Sequence, residues 1–222
     1  MRTQSKDAQA ALTPQRALEI LRDGNRRFVD NLRLSRNLLQ QVNETAVSQY
    51  PLAIVLSCID SRISAELIFD QGLGDIFSVR IAGNVLNEDI LGSMEFACEV
   101  AGSKLIVVLG HTRCGAVQGA CNHVEMGHLT GLLAKIGPAV HHVVQSGGGG
   151  LPPDEFVERV ALENTRHQMR AILARSPILE HLYHQGRIGI VGGLYSVETG
   201  EVQFFEEQFL HRPAGASLPA AG

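Results

Sequence analysis

Four short, continuous runs of apolar residues most constrain how this chain can fold. Residues 52–56 (LAIVL) and 105–109 (LIVVL) contain no polar side chain, and residues 188–191 and 76–80 are similar but less purely apolar. Runs without alternation are typical of strands that are covered on both faces. Segments with helical character separate these runs, which favours an α/β fold: a four-stranded parallel sheet flanked by helices. Helices are predicted at residues 63–70, 88–101, 116–126, 129–145 and 154–174.

The two ends of the chain fall outside this alternation. Thr13 followed by Pro14 is typical of a helix N-terminus, and a second helical stretch is predicted at residues 34–48. Residues 194–205 predict a strand pair, which supplies an additional strand at one edge of the sheet. Whether the N-terminal helices pack on their own core or clasp a second subunit stays open. We predict a single domain over residues 1–222, divided into an N-terminal helical arm at 13–48, an α/β core at 50–208 and a disordered tail at 212–222.

Composition excludes several classes of protein. The formal net charge is −4, so no basic field is available to bind nucleic acid. No segment approaches the roughly 20 apolar residues that span a bilayer, so no membrane association is expected. Residues 1–11 lack the apolar middle of a secretory signal, and a cytoplasmic location is therefore predicted. The glycine run at 147–150 has no preceding strand and no following Lys-Ser/Thr, so it is not a phosphate-binding loop.

Side chains that can bind a metal ion or take part in catalysis directly follow two of the predicted strands. The first strand runs into residues 57–62 (SCIDSR), and the strand at 105–109 runs into residues 110–115 (GHTRCG). If these strands are parallel, both segments emerge at the same carboxyl edge, where open α/β sheets build their sites. The pattern therefore predicts that Cys58, His111 and Cys114 converge.

Two thiolates and an imidazole suit zinc better than magnesium or calcium. A purely structural zinc site has four protein ligands, but here the fourth candidate is the carboxylate of Asp60. Arg62 lies two residues further on and could hold that carboxylate in a bidentate pair, which would leave the fourth position to water. We therefore predict one catalytic zinc ion per chain. Its bound hydroxide would be oriented by Asp60 toward a small carbonyl-like carbon.

These motifs resemble those of the β-class carbonic anhydrases. Residues 58–62 match the family's Cys-x-Asp-Ser-Arg motif, and residues 111–115 match its His-x-x-Cys-Gly motif. Residues 79–84 and 92–96 are similar to two further family stretches. The resemblance implies reversible hydration of carbon dioxide to bicarbonate and a proton. It also implies that Cys58, His111 and Cys114 bind zinc, that Asp60 and Arg62 form a catalytic dyad, and that Asp60 is a possible fourth zinc ligand in a closed state.

The same resemblance implies a substrate pocket and a partner. Gln49, Phe77, Ala82 and Phe96 match its substrate-binding positions, with Ala82 where valine is common and Phe96 where tyrosine is common. The family's active sites lie at subunit interfaces, which implies a homodimer or a dimer of dimers in which Gln49 serves a neighbouring site.

Two alternatives remain at the level of sequence. One is a related zinc hydrolase that acts on carbon disulfide or carbonyl sulfide, because access to the pocket decides between these substrates. The other is a non-catalytic, zinc-stabilised scaffold, which would have no need of Asp60 and Arg62.

Overall fold

A computed structural model describes residues 3–205 of the chain. Within this range no helix is both long enough and apolar enough to span a membrane. The predicted tail at 212–222 and the last residues of the predicted core lie outside the described residues. The helices are α1 (Lys6–Ala11), α2 (Pro14–Val29), α3 (Leu38–Thr45), α4 (Ala65–Ile68), α5 (Glu88–Glu95), α6 (Gly115–Cys121), α7 (Gly127–Leu133), α8 (Gly137–Gln145), α9 (Pro153–Arg175) and α10 (Pro177–His184), and the strands are β1 (Ala53–Ser57), β2 (Ile76–Arg80), β3 (Leu105–His111), β4 (Gly189–Tyr195) and β5 (Val202–Phe204).

The five strands form one sheet in the order β2-β1-β3-β4-β5. The first four are parallel, and β5 pairs antiparallel with β4 at the edge. Ser57 lies opposite Arg80 on one side and Leu109 on the other, so β1, β2 and β3 end close together. The predicted four-stranded parallel sheet with an additional edge strand is therefore confirmed.

The sheet is covered on both faces, as the continuous apolar runs require. All five residues of β1 and all seven of β3 are buried. Ile54 and Leu56 pack in one apolar cluster with residues of α5, α9 and α10, while Val55 faces the other side and packs in a cluster with α2. The two faces thus anchor different helices on the same central strands.

The helices differ from the predicted ones where backbone chemistry interrupts a helical pattern. The stretch predicted at 129–145 is two helices, because Pro138 has no N–H with which to continue α7. The helix predicted at 88–101 ends as α5 at Glu95 and continues for one wider turn, Phe96–Val100. Residues 189–195 form one strand, so the first half of the predicted pair at 194–205 is the end of β4. The short helices α1 and α10 were not predicted.

The N-terminal arm divides into a packed part and an exposed part. Thr13 caps α2 by accepting from the Arg16 N–H, and α2 buries Leu18 and Leu21 against the sheet. In contrast, α3 leaves its apolar side chains exposed, with Leu39 71% accessible. Helix α2 therefore packs on its own core, whereas α3 presents an apolar surface that no residue of the range 3–205 covers.

A buried ion-pair cluster attaches the connection between α2 and α3 to the core. Asp70 is 3% exposed and pairs with both Arg27 and Arg36. It also accepts from the Leu34 N–H at 3.3 Å. Because a buried carboxylate is stable only when it is paired, this cluster fixes the path of the arm.

Candidate metal centre

The loops that follow β1 and β3 bring three metal-binding side chains together. The candidate ligand atoms of Cys58, His111 and Cys114 all lie within 4.8 Å of one another, and all three residues are buried. Cys58 follows the last residue of β1, His111 is the last residue of β3, and Cys114 immediately precedes α6. The predicted convergence of these side chains at the carboxyl edge of the sheet is therefore observed.

Backbone and side-chain donors fix the loop that carries Cys58. The Gly83 N–H donates to the Cys58 sulfur at 3.3 Å. Arg80, the last residue of β2, donates through Nε to the Cys58 carbonyl at 3.1 Å and through Nη2 to the Asp60 carbonyl at 2.8 Å. Donors at the end of β2 and in the segment after it therefore hold this loop in place.

The ring of His111 is oriented for metal binding. Its Nδ1 lies 2.9 Å from the Thr112 carbonyl oxygen. A carbonyl oxygen only accepts, so Nδ1 carries a hydrogen, and in the neutral imidazole the lone pair is then on Nε2. Nε2 is buried and has no hydrogen-bond partner within residues 3–205. A buried nitrogen lone pair beside two sulfurs is what a borderline-soft ion such as zinc requires, so these residues fit zinc.

The loop that carries His111 is itself anchored to the neighbouring strand. The Thr112 N–H donates to the Tyr195 carbonyl at 3.0 Å, and the Thr112 hydroxyl accepts from the Val197 N–H at 3.1 Å. The carbonyl that orients the imidazole is therefore held by the end of β4 and the turn after it. Such supporting contacts commonly fix the direction of metal-binding histidines.

The two thiols of the site differ in how readily they lose a proton. A hydrogen bond from Cys114 lowers the pKa of Cys58 to about 4, although burial alone would raise it. The pKa of Cys114 is raised because it is hydrogen-bonded to Cys58 and buried. The deprotonated form of Cys58 is therefore favoured over that of Cys114, and binding of a divalent cation would favour loss of the proton from Cys114 as well.

Asp60 and Arg62 form the bidentate pair expected from their spacing. Arg62 Nε donates to Asp60 Oδ1 at 2.9 Å, and Nη2 donates to Oδ2 at 2.8 Å. The Arg62 N–H also donates to Oδ1, at 3.0 Å. These hydrogen bonds from Arg62 hold the pKa of Asp60 well below its usual range. Asp60 is therefore an ionised carboxylate that is turned toward arginine.

Of the predicted substrate-binding residues, Phe77, Phe96 and Gln49 lie apart from the three candidate ligands, whereas Ala82 lies close to one of them. Phe77 and Phe96 form an edge-to-face pair with ring centroids 6.3 Å apart and line a shallow depression of about 690 Å³. Phe77 lies opposite Ile54, three residues before the end of β1, or roughly 10 Å along the strand. Ala82 is half-buried one residue before Gly83, next to the Cys58 sulfur.

Gln49 lies toward the opposite edge of the sheet. It is exposed and lies three residues before Leu52. The N–H and carbonyl of Leu52 form hydrogen bonds with the residues that immediately precede β2 and β3. The five residues of β1 then separate this amino edge from the metal edge by roughly 17 Å.

Arg80, Gly83 and Thr112 were not predicted as site residues. The contacts of Arg80 and Thr112 depend on which strands become neighbours, and the role of Gly83 depends on a loop conformation. The signals available in the sequence were the position of Arg80 at the end of a strand and of Thr112 between two ligands.

Comparisons with known proteins agree with this geometry. A sequence model of the family described as carbonic anhydrase matches residues 53–202. Carbonic anhydrase 2 of Mycobacterium tuberculosis is 36% identical over 195 residues, which cover 84% of this chain and 90% of that protein. The carbonic anhydrase of Mycolicibacterium smegmatis is 34% identical over 197 residues, with 86% and 92% covered.

The fold comparison leads to the same class. The crystal structure of the β-carbonic anhydrase CafA of Aspergillus fumigatus superposes with a TM-score of 0.69 at 27% identity, covering 76% of this chain and 81% of that one. The family match spans both loops that carry the candidate ligands, and the sheet order and site geometry are those described above. From its sequence, its fold and its cysteine–histidine–cysteine centre, the chain belongs to the carbonic anhydrase family and is a member of the β class.

Proposed function

We propose that this chain holds one zinc ion through Cys58, His111 and Cys114 and uses it to hydrate carbon dioxide reversibly to bicarbonate and a proton. The observation that carries this proposal is the buried cluster of three candidate ligand residues whose ligand atoms lie within 4.8 Å of one another, in which His111 Nε2 has no hydrogen-bond partner in the described part of the chain. Zinc in such a site would polarise a bound water and lower its pKa, so that the water can attack the carbon of carbon dioxide.

Asp60 serves in this proposal as the acceptor that orients the attacking water. Its two oxygens are held by Arg62, yet an ionised carboxylate offers about four acceptor positions, and three hydrogen bonds to it are found among the described residues. Because Asp60 stays ionised, it accepts rather than donates. Arg62 also restrains Asp60 from turning to become the fourth zinc ligand.

A second copy of the chain completes the site in this proposal. Gln49 lies toward the far edge of the sheet from the ligands of its own chain, and Phe77 and Phe96 lie back from the metal edge. These three residues would therefore reach the site of a neighbouring chain, in a homodimer or a dimer of dimers. The exposed leucines of α3 and the half-exposed Phe96 supply apolar surface for such a contact. A cytoplasmic location remains a prediction from the sequence.

Stopped-flow carbon dioxide hydration on protein of measured zinc content tests the reaction. We expect the zinc-loaded chain to be active between pH 7 and 9, Cys58→Ser to lose zinc and activity, and Asp60→Asn to keep zinc but lose activity about 100-fold or more. Cys121→Ser is the matched control, because Cys121 is a thiol outside the site.

Three outcomes would contradict the proposal in different ways. A zinc-loaded chain without hydration activity that converts carbon disulfide or carbonyl sulfide would identify a related hydrolase. A zinc-loaded chain inactive on all three substrates would identify a scaffold. Full activity in Asp60→Asn would remove the assigned role of Asp60.

A further inference from the structure

Two side-chain amides are buried inside the core on the long helix α9. Asn164 is 0% exposed and Gln168 is 3% exposed. Burying an amide is costly unless it is hydrogen-bonded, so the partners of these two groups show what they hold. They lie four residues apart, on one face of the helix, and the Gln168 amide donates to Asn164 Oδ1 at 3.0 Å.

Both amides form hydrogen bonds with the backbone of the segment that connects β2 to α5. Asn164 Nδ2 donates to the Gly83 carbonyl at 2.8 Å, and Gln168 Oε1 accepts from the Leu86 N–H at 3.0 Å. Helix α9 therefore fixes this segment at two points, one of which is the residue next to the metal centre.

Gly83 connects this network to a metal ligand. Its carbonyl accepts from Asn164, and its N–H donates to the Cys58 sulfur at 3.3 Å. The two bonds leave opposite sides of one residue whose φ is +68°, a conformation that other residues adopt only with strain. An added Cβ would also lie 2.7 Å from Ile136. The direction of the Gly83 N–H is therefore set by its carbonyl anchor.

We propose that Asn164, supported by Gln168, is a positioning residue of the metal centre that aims the Gly83 N–H at the Cys58 sulfur. The N–H···S bond withdraws electron density from the thiolate and fixes where the sulfur lies. Groups that orient metal ligands in this way typically change metal affinity 10- to 100-fold when they are removed. This inference rests on the proposed metal site, and it adds to it a set of residues remote from the ligands in sequence.

The test compares Asn164→Ala with Asn25→Ala. Asn25 is also a buried asparagine: its amide donates to the carbonyls of Ile68 and Gly200 and accepts from the Val202 N–H, and within residues 3–205 it has no hydrogen bond to residues 57–62, 83 or 110–115. Both variants lose a buried amide, so a merely structural effect should be similar in the two. Zinc affinity is measured by competition with a chelator, and the thiolate-to-metal charge-transfer absorption is measured on the cobalt(II)-substituted full chain.

We expect Asn164→Ala to weaken zinc binding about 10-fold or more and to move the charge-transfer band to lower energy, because the thiolate becomes more electron-rich. Gln168→Met should shift both in the same direction by less, and Asn25→Ala should change neither. Equal affinities and bands in Asn164→Ala and Asn25→Ala would overturn the inference. If Asn164→Ala does not fold, Asn164→Asp keeps the volume but loses the donor, with Asn25→Asp as its control. A wild-type chain that shows no thiolate band with cobalt(II) would instead overturn the metal site itself.

Discussion

The metal edge of the sheet and the apolar surface that is left exposed at α3 and at Phe96 differ in how completely one chain builds them. At the metal edge the three candidate ligands are buried, and Arg80, Gly83 and Thr112 hold their loops by hydrogen bonds. On the other surface Leu39 is 71% and Phe96 53% exposed. The contrast indicates that metal binding belongs to a single chain, whereas the substrate pocket, in our proposal, needs two.

Removing Arg62 tests the metal edge and should have the largest effect. In Arg62→Ala the Asp60 carboxylate loses both side-chain donors and becomes free to turn to zinc. We expect zinc content to be unchanged and carbon dioxide hydration at pH 7–9 to fall about 10²- to 10³-fold. Arg187→Ala, which removes an equally exposed arginine from its pair with Glu99, is the control and should stay near wild-type activity. Near wild-type activity in Arg62→Ala would show that the pair does not orient the reaction.

Removing Asp70 tests how the exposed surface is held to the core. Asp70→Asn leaves the buried guanidinium of Arg36 without its charge partner, so the free energy of unfolding should fall by about 3 kcal/mol, as measured by urea denaturation at pH 7. Asp23→Asn, which breaks an exposed pair with Arg26, should change the free energy of unfolding by less than about 1 kcal/mol.

The Asp70 contribution should also depend on pH. Burial would raise the pKa of Asp70, but hydrogen bonds from Arg27 and Arg36 lower it below its usual value in the folded chain. The stabilisation is therefore complete above the unfolded pKa of about 3.9 and is lost as pH falls through the lower folded value. The difference between wild type and Asp70→Asn should be constant from pH 5 to 7 and shrink below about pH 4. A difference that shrinks toward pH 7 instead would rule out this cause.

Mixing two impaired chains tests whether the pocket is shared, and it has the smallest expected signal. Asp60→Asn impairs the site at the metal edge of its own chain. Gln49→Ala removes a side chain that lies toward the opposite edge of the sheet. If Gln49 serves the neighbouring chain, refolding the two together creates dimers with one intact site, and activity should return to about a quarter of wild type. The control mixes the double variant Asp60→Asn/Gln49→Ala with wild type. If Gln49 serves the neighbouring chain, each of the two sites in a mixed dimer then contains at least one of the two substitutions. No recovery in the first mixture would place Gln49 at the site of its own chain.

Much of the fold and of the metal centre could be predicted because it depends on local patterns. Continuous apolar runs defined the four parallel strands, and Cys58, His111 and Cys114 were brought together by the rule that parallel strands end at one edge. The Asp60–Arg62 pair followed from a spacing of two residues. These features need only the sheet to form, and the sheet formed as predicted.

The rest could not be predicted because it depends on which elements become neighbours. Asn164 and Gln168 lie on α9, 50 residues or more after Cys114, the last of the ligands, and their partners outside that helix are backbone groups that no side-chain pattern identifies. A sequence signal did exist, since two amides four residues apart on a helix share one face. That signal does not tell a buried face from an exposed one.

Placing the ligands on two neighbouring strands also determines when the centre can exist during folding. Cys58 follows β1, and His111 and Cys114 lie at the end of β3, so β2 and α5 must be synthesised between the first ligand and the second. Residues 1–110 contain Cys58 alone of the three ligands, so a nascent chain of that length lacks the other two. Capture of an ion by all three ligands would therefore follow the pairing of β1 with β3, a contact between distant parts of the chain that forms slowly. Binding of the ion would thus be a consequence of sheet formation and not its trigger.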